Sequence, residues 1–405
     1  MSSCRIPAST SLNGMTAEIL ETPQPGPVRR NERALAPDLT RGAMLLFIAL
    51  ANAANFAFAG QPGLDGTPHG LQRVVNFLMS TLVDSRAYPV FAIMFGYGLV
   101  QMSRRQRAAG ADDRRILLRR NIALIGFGLV HGTLLYFGDF LGAYGIVGVL
   151  CTWLLLRRGD RFHRLILWLW ALQTLDAAVV AAITIARVHA GHAVLTNSPN
   201  PSLAASSYGA SVLDRLAEWP VHTATVIPFI VIVWLGIWAA RRRLLEEPGA
   251  HRTLLRRAAA GGLAISIVGG LPYALVSAGW LHVDAGSVHL MSLLHDITGE
   301  YGGVGYVALF GLLAARLTGP GRSARLVGPV VALGQRSLSG YLFQSVCWIA
   351  LFSPWALHLG GTWWALAAAV AVWTVSCAAA QRMSAAGYRG PAEILLRRIV
   401  YRNAT

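Results

Sequence analysis

The chain has 405 residues, 54% of them hydrophobic and 13% charged, with a mean hydropathy of +0.49. Soluble domains carry about 25% charged residues, so half that value excludes an ordinary soluble globular class. The formal net charge is +16 with no lysine, but the arginines sit in short connections between apolar runs. That pattern is a membrane-topology signal rather than a nucleic-acid footprint.

Residues 1–37 are rich in Pro, Ser, Thr and charge and lack the apolar core of a secretory signal, which predicts a flexible cytoplasmic tail. A spanning helix needs roughly 20 mainly apolar residues. That ruler marks about ten segments over 38–401, read as a single transmembrane helical domain: 42–59, 87–103, 116–137, 140–157, 164–186, 222–240, 257–279, 298–317, 326–352 and 362–381. The stretch 70–86 reads as an interfacial or re-entrant piece. Arginines crowd every second connection: 104–120, 157–164, 241–257, 316–325 and the tail from Arg382. The positive-inside rule then sets both termini in the cytoplasm. The expected fold is all-α: a polytopic bundle of about ten helices, because backbone groups in lipid must pair within each segment. Cys4, Cys151, Cys347 and Cys377 have no zinc or redox spacing, and no metal site is expected.

Ionisable groups retained inside apolar runs are functional candidates. In the first span Arg41 and Asn52 are eleven apart and share a helix face, with Asn55 close to it and Asp38 able to pair with Arg41. Arg41 could equally be an interfacial anchor. Asp84 and Arg86, before the second span, read as a functional pair or as a solvated loop. In the third span Arg120 and His131 are eleven apart, about 20° and roughly 16 Å from each other along one helix face. A cationic mouth at Arg115, Arg119 and Arg120 and a deep imidazole would suit a phosphate-bearing acyl carrier. Helix-end anchoring and a packed histidine are the plain alternatives. Asp139 at the following turn could orient His131 as a general base or cap the next helix, and Tyr144 follows one turn on. Gln173 and Asp176 lie mid-span in the fifth segment. His289, His295, Asp296 and Glu300 read best as a loop cluster. Ser337, Tyr341 and Gln344, spaced four and three, line one face of the ninth span, with Ser345 at its border.

Several of these stretches together resemble a known family. DLTRG with its Asn-bearing span resembles the LDxxRG…N motif of the YeiB-like bacterial membrane proteins. RAYPVFAIMFGYGL resembles their GKFxxLFSxLFGxG segment. RRNIALIGFGLVHGTLLYFGDFLGAYGIVG resembles RRLxxLxxxGxxHxxL…DIxxxYxxxG, GQRSLSGYLFQS resembles GxxSLTNYLxQS, and GYRGPAEILLRRIVY resembles the closing GPxEWLxRxxTY. Gly340 stands where the family has Asn, Arg86 where Lys is usual and Ile394 where Trp is usual. The resemblance implies kinship with transmembrane acyltransferases, including the heparan-α-glucosaminide N-acetyltransferase type, which move an acyl group from cytoplasmic acyl-CoA to an acceptor.

On that reading His131 and Asp139 would be catalytic. Arg115, Arg119 and Arg120 would bind acyl-CoA as co-substrate rather than as a tightly held cofactor. Arg41, Asn52, Tyr144, Ser337, Tyr341 and Gln344 would line the substrate pocket. The implied partners are the lipid bilayer of the cell (inner) membrane and a small-molecule acceptor with a hydroxyl or amine. No nucleic acid is implied, and a homo-oligomer is left open. A small-molecule transporter and a non-catalytic membrane protein are the competing classes.

Overall fold

The computed structural model describes residues 34–193, 195, 197–317 and 327–401. Nearly all of the tail expected over 1–37 lies outside the described residues, although the first helix already begins at Leu35.

The helices are α1 (Leu35–Ala57), α2 (Leu71–Leu78), α3 (Ala87–Ala108), α4 (Asp113–Leu134), α5 (Leu141–Leu154), α6 (Asp160–His163), α7 (Leu165–Arg187) and α8 (Pro201–Ala204). After them come α9 (Tyr208–Val226), α10 (Ile230–Arg241), α11 (Arg252–Ser277), α12 (Ala285–Leu317), α13 (Gly328–Gly334), α14 (Ser337–Phe352), α15 (Thr362–Ala385) and α16 (Pro391–Tyr401). Two short strands, β1 (Gly60–Gln61) and β2 (Ser198–Pro199), pair antiparallel.

Each of the ten predicted apolar segments falls on a helix or a helix pair. Six stretches are long and apolar enough to cross a membrane: α1, α6–α7, α9–α10, α11, α12 and α15. α5 and α14 are shorter apolar helices. α3 ends and α4 begins with arginines, and both are less apolar. α9 runs on through Pro220, and a 3₁₀ turn over Ile227–Phe229, holding Pro228, separates it from α10, since proline cannot donate the helical hydrogen bond. The chain is an all-α polytopic membrane protein. α7 turns Trp168, Leu172, Leu175 and Ile185 outward, as a lipid-facing helix should.

Side-chain contacts sort the helix ends into two groups. At one end Arg104 donates to the Ala240 carbonyl (2.7 Å), Arg107 pairs with Asp113 (2.8 Å) and Arg241 pairs with Asp160 (2.6 Å). This is the arginine-rich end, which the positive-inside rule places in the cytoplasm. At the other end Asn55 donates to Tyr136 (3.1 Å), Arg215 donates to the Leu134 carbonyl (2.8 Å) and Asn76 donates to the Ser277 carbonyl (2.8 Å).

Small residues set the helix spacing. A Cβ on Gly96 of α3 would lie 2.0 Å from the Val233 carbonyl oxygen of α10, and one on Gly236 would lie 2.1 Å from the Ile93 carbonyl oxygen. α3 and α10 therefore cross backbone to backbone, the packing expected where lipid offers no hydrophobic drive between helices.

Two expectations need correcting. α12 begins at Ala285 rather than at 298, so His295 and Asp296 sit on a helix and not in a loop. His295 is buried while His289 is exposed, because one helix turns the two residues to different faces. Arg86 is fully buried instead of solvated.

Candidate functional site

A cavity of about 1230 Å³ runs between the two ends of the bundle, mainly among α1, α3, α4, α5, α9, α12, α14 and α16. Of the residues given catalytic or binding roles from sequence, Arg41, Asn52, Arg120, Tyr144, Ser337 and Tyr341 line it. His131, Asp139, Gln344, Arg115 and Arg119 do not. Asp176 also lies elsewhere, exposed on α7, while Gln173 donates to Glu300 of α12 (2.5 Å).

The arginine-rich end of the cavity is built by four helices. Arg41 of α1 donates to the Met94 carbonyl (3.2 Å) and lies 3.6 Å from Asp38. Arg120 of α4 reaches Asn121 Oδ1 at 3.4 Å, sits over the Phe95 ring at 5.1 Å, and forms no ion pair among the described residues. Arg105 of α3 and Arg397 of α16 complete the mouth, and Arg397 Nη1 is buried without a hydrogen-bond partner. An unpartnered buried donor costs about 1–3 kcal/mol, more when charged. Tyr401 lines the same mouth; burial pushes its phenol up, and the nearby Arg120 and Arg105 charges pull it down.

α16 is docked onto that mouth by a joint the sequence did not reveal. Glu393 accepts from the Leu338 and Ser339 backbone N–H groups (2.9 and 3.2 Å) and from the Ser339 hydroxyl (2.5 Å). The carboxylate thereby caps the amino end of α14. Arg336 ties the same region to the Tyr388 carbonyl. The GPAE and SLS motifs are the two halves of this joint.

Between the ends, aromatic rings form one wall. Phe95 lies 5.3 Å from Tyr144, Tyr144 lies 5.9 Å from Phe140, and Phe140 lies 5.3 Å from the His222 ring. Tyr88 stacks on Phe229 at 4.6 Å beside this row. The wall thus joins Arg120 to His222, an imidazole of α9 that sequence reading passed over. His222 lines the cavity, and its Nε2 is buried without a partner.

The end opposite the arginines is polar. Tyr136 accepts from Asn55 (3.1 Å) and Gln61 (3.0 Å). His295 and Asp296 border the same space, with His295 Nδ1 3.2 Å from Asp296 Oδ1 and Nε2 2.9 Å from the Ser80 carbonyl. Arg86 bonds His295 Nε2, the Ser266 hydroxyl (3.0 Å) and carbonyl (2.9 Å), and the Asp84 carbonyl (2.5 Å).

His131 lies one layer behind the cavity, its ring 4.8 Å from that of Tyr341. Nδ1 is 2.9 Å from Asp139 Oδ1, and Nε2 is 2.8 Å from Ser345 Oγ. Asp139 Oδ2 accepts from the Gly142 backbone N–H (2.8 Å). A carboxylate at Nδ1 places the proton there and leaves Nε2 to accept the Ser345 hydroxyl proton. The order carboxylate, imidazole, hydroxyl is that of a nucleophilic relay. All three residues are 1% exposed or less and none lines the cavity, so here the relay joins α4, α14 and the turn into α5. Gln344 is also a packing residue, donating to the Leu45 carbonyl of α1 (3.2 Å).

No group of three or more His, Cys, Asp or Glu side chains able to hold a metal occurs among the described residues. Residues 239–403, from α10 to α16, match the family described as "Protein of unknown function (DUF418)". The uncharacterized protein YxaH of Bacillus subtilis (strain 168) is 26% identical over 274 residues, 60% of this chain and 66% of that protein. An uncharacterized 39.9 kDa protein encoded in the amylase 3' region of Bacillus acidopullulyticus is 32% identical over 124 residues, 31% of this chain and 34% of that protein. The chain thus spans just under two thirds and about one third of the lengths of these two relatives. The uncharacterized protein YeiB of Escherichia coli (strain K12) is 23% identical over 355 residues, 81% of this chain and 85% of YeiB. No solved structure matches. These similarities, together with the five ordered motifs, make the chain similar to the YeiB-like membrane proteins.

Proposed function

We propose that this chain is an acyltransferase of the cell (inner) membrane. It takes the acyl group of a cytoplasmic acyl-CoA at the arginine-rich mouth and passes it to a hydroxyl or amine acceptor within the cavity. One observation carries this reading: a single cavity connects Arg41, Arg120 and Arg397 to imidazole and amide side chains at its far end. Guanidinium groups match phosphate geometry, and the aromatic wall suits the less polar arm of the donor. In the transfer the thioester C–S bond is exchanged for a C–O or C–N bond, and the acceptor's proton ends on the departing thiol.

The test is release of CoA from acetyl-CoA by the purified protein in detergent, with calorimetric binding of CoA measured alongside. Saturable turnover is expected. Arg120→Ala should weaken CoA binding about 10- to 100-fold, the worth of one charge-assisted hydrogen bond, without lowering the melting temperature. Absence of both binding and turnover would overturn the reading. Because the cavity reaches both ends of the bundle, a transporter of an organic anion is the second reading. Movement of a labelled organic phosphate into proteoliposomes lacking any acyl donor would favour it.

A further inference from the structure

We infer that His222 is the proton acceptor of the transfer, a role that rests on the acyl-transfer reading above. Two imidazoles border the cavity, His222 and His295. His295 has both ring nitrogens engaged, by Asp296 on one side and by the Ser80 carbonyl and Arg86 on the other. His131, outside the cavity, is likewise bonded at both nitrogens. His222 has no hydrogen-bond partner at its buried Nε2. Its ring is held edge-on by Phe137 at 6.0 Å and Phe140 at 5.3 Å, contacts that fix its plane and leave its nitrogens uncommitted.

Position agrees with availability. Phe140 is the last ring of the row that starts over Arg120. A donor anchored by its phosphates at Arg120 and laid along Phe95, Tyr144 and Phe140 brings its thioester to His222. The acceptor enters from the polar end, where Asn55, Gln61 and Tyr136 meet. Its oxygen or nitrogen attacks the thioester carbon while His222 takes its proton. The C–S bond then breaks, and the imidazolium returns the proton to the thiolate, leaving CoA and acylated acceptor. Proton transfer by a positioned side chain contributes about 10²- to 10⁴-fold to rate.

Two measurements test the assignment. The first is acetyl-CoA turnover by His222→Ala and by the near-isosteric His222→Gln, each beside the calorimetric affinity for CoA. A loss of at least about 100-fold in kcat with CoA affinity unchanged is expected. The second is modification of the wild-type chain by diethyl pyrocarbonate, read peptide by peptide. Residue 222 should react, His131 and His295 should not, and saturating CoA should protect residue 222 several-fold. Wild-type turnover that survives both substitutions would overturn this role alone. A wild-type chain that neither binds CoA nor consumes acetyl-CoA would overturn the acyl-transfer reading and this role with it.

Discussion

His131 lies behind Tyr341, outside the cavity, while His222 lines it, and the two face opposite constraints. His131 has a carboxylate at one nitrogen and a hydroxyl at the other, within a network closed by the Gly142 N–H. His222 has aromatic edges and an empty Nε2. A polar group sealed in an apolar interior persists when its hydrogen bonds are complete, as those of His131 are. The uncommitted one keeps the capacity to bind a ligand or accept a proton. On the proposed reading, chemistry sits at the histidine whose neighbours leave a nitrogen unused.

The largest effect should come from breaking the closed network. Asp139→Ala leaves His131 Nδ1–H and the Gly142 N–H unpaired where no water reaches. Loss of one member of such a buried charged network costs about 3–5 kcal/mol. Asp139→Ala should lower the midpoint of thermal unfolding in detergent far more than His222→Gln does. If Asp139→Ala melted like wild type, His131 would not be a structural residue and the contrast between the two imidazoles would fail.

The bundle was legible because hydropathy and arginine spacing are local properties of composition. Apolar segments separated by alternating charge leave few topologies, and each of the ten segments found its helix. The His131–Asp139 pairing was also legible, since eight residues and one turn bring the two together. What lay behind what was not legible. Helical spacing put Arg120 and His131 on one face of α4, and both do point toward the interior. Only the neighbouring α14 decides that Tyr341 stands between His131 and the cavity. His222 was passed over although Ser211, Arg215 and Glu218 precede it by eleven, seven and four residues on one face of α9; its meaning comes from Phe137, Phe140 and the distant Arg120. Arg86 was left open between a functional and a solvated residue because its partners, Ser266 and His295, are remote in sequence. Glu393 was quoted as part of a motif, but the N–H groups it caps belong to α14.

That joint supplies a smaller test, at the arginine-rich end of the wall that links Arg120 to His222. Glu393→Ala removes a cap from α14 and an anchor from α16. Caps of this kind are worth about 0.5–2 kcal/mol. Faster tryptic cleavage at Arg389 and Arg397 is expected, with weaker CoA binding because Arg397 leaves the mouth. The closed network around His131 should stay intact, so the melting midpoint should fall less than in Asp139→Ala. Cleavage at the wild-type rate would mean that α16 is held by its apolar face alone.

The smallest effect belongs to Asp284, at the start of the helix that carries His295. Its carboxylate accepts the Ser287 backbone N–H at 2.8 Å, as a helix cap does. The Ser287 hydroxyl and N–H hold this carboxyl below the usual carboxylate range. A depressed folded value means the contribution is fully present above the unfolded value near 3.9 and disappears as pH falls through the folded one. The side chain is solvated, so the shift in melting midpoint caused by Asp284→Ala should be slight at pH 7 and should vanish on acidification below that window. A midpoint difference that persisted unchanged at low pH would show that the substitution acts through packing at the start of α12. That outcome would extend the fixed, fully bonded character of the His131 region to the His295 side of the cavity, leaving His222 as its one imidazole with an uncommitted nitrogen.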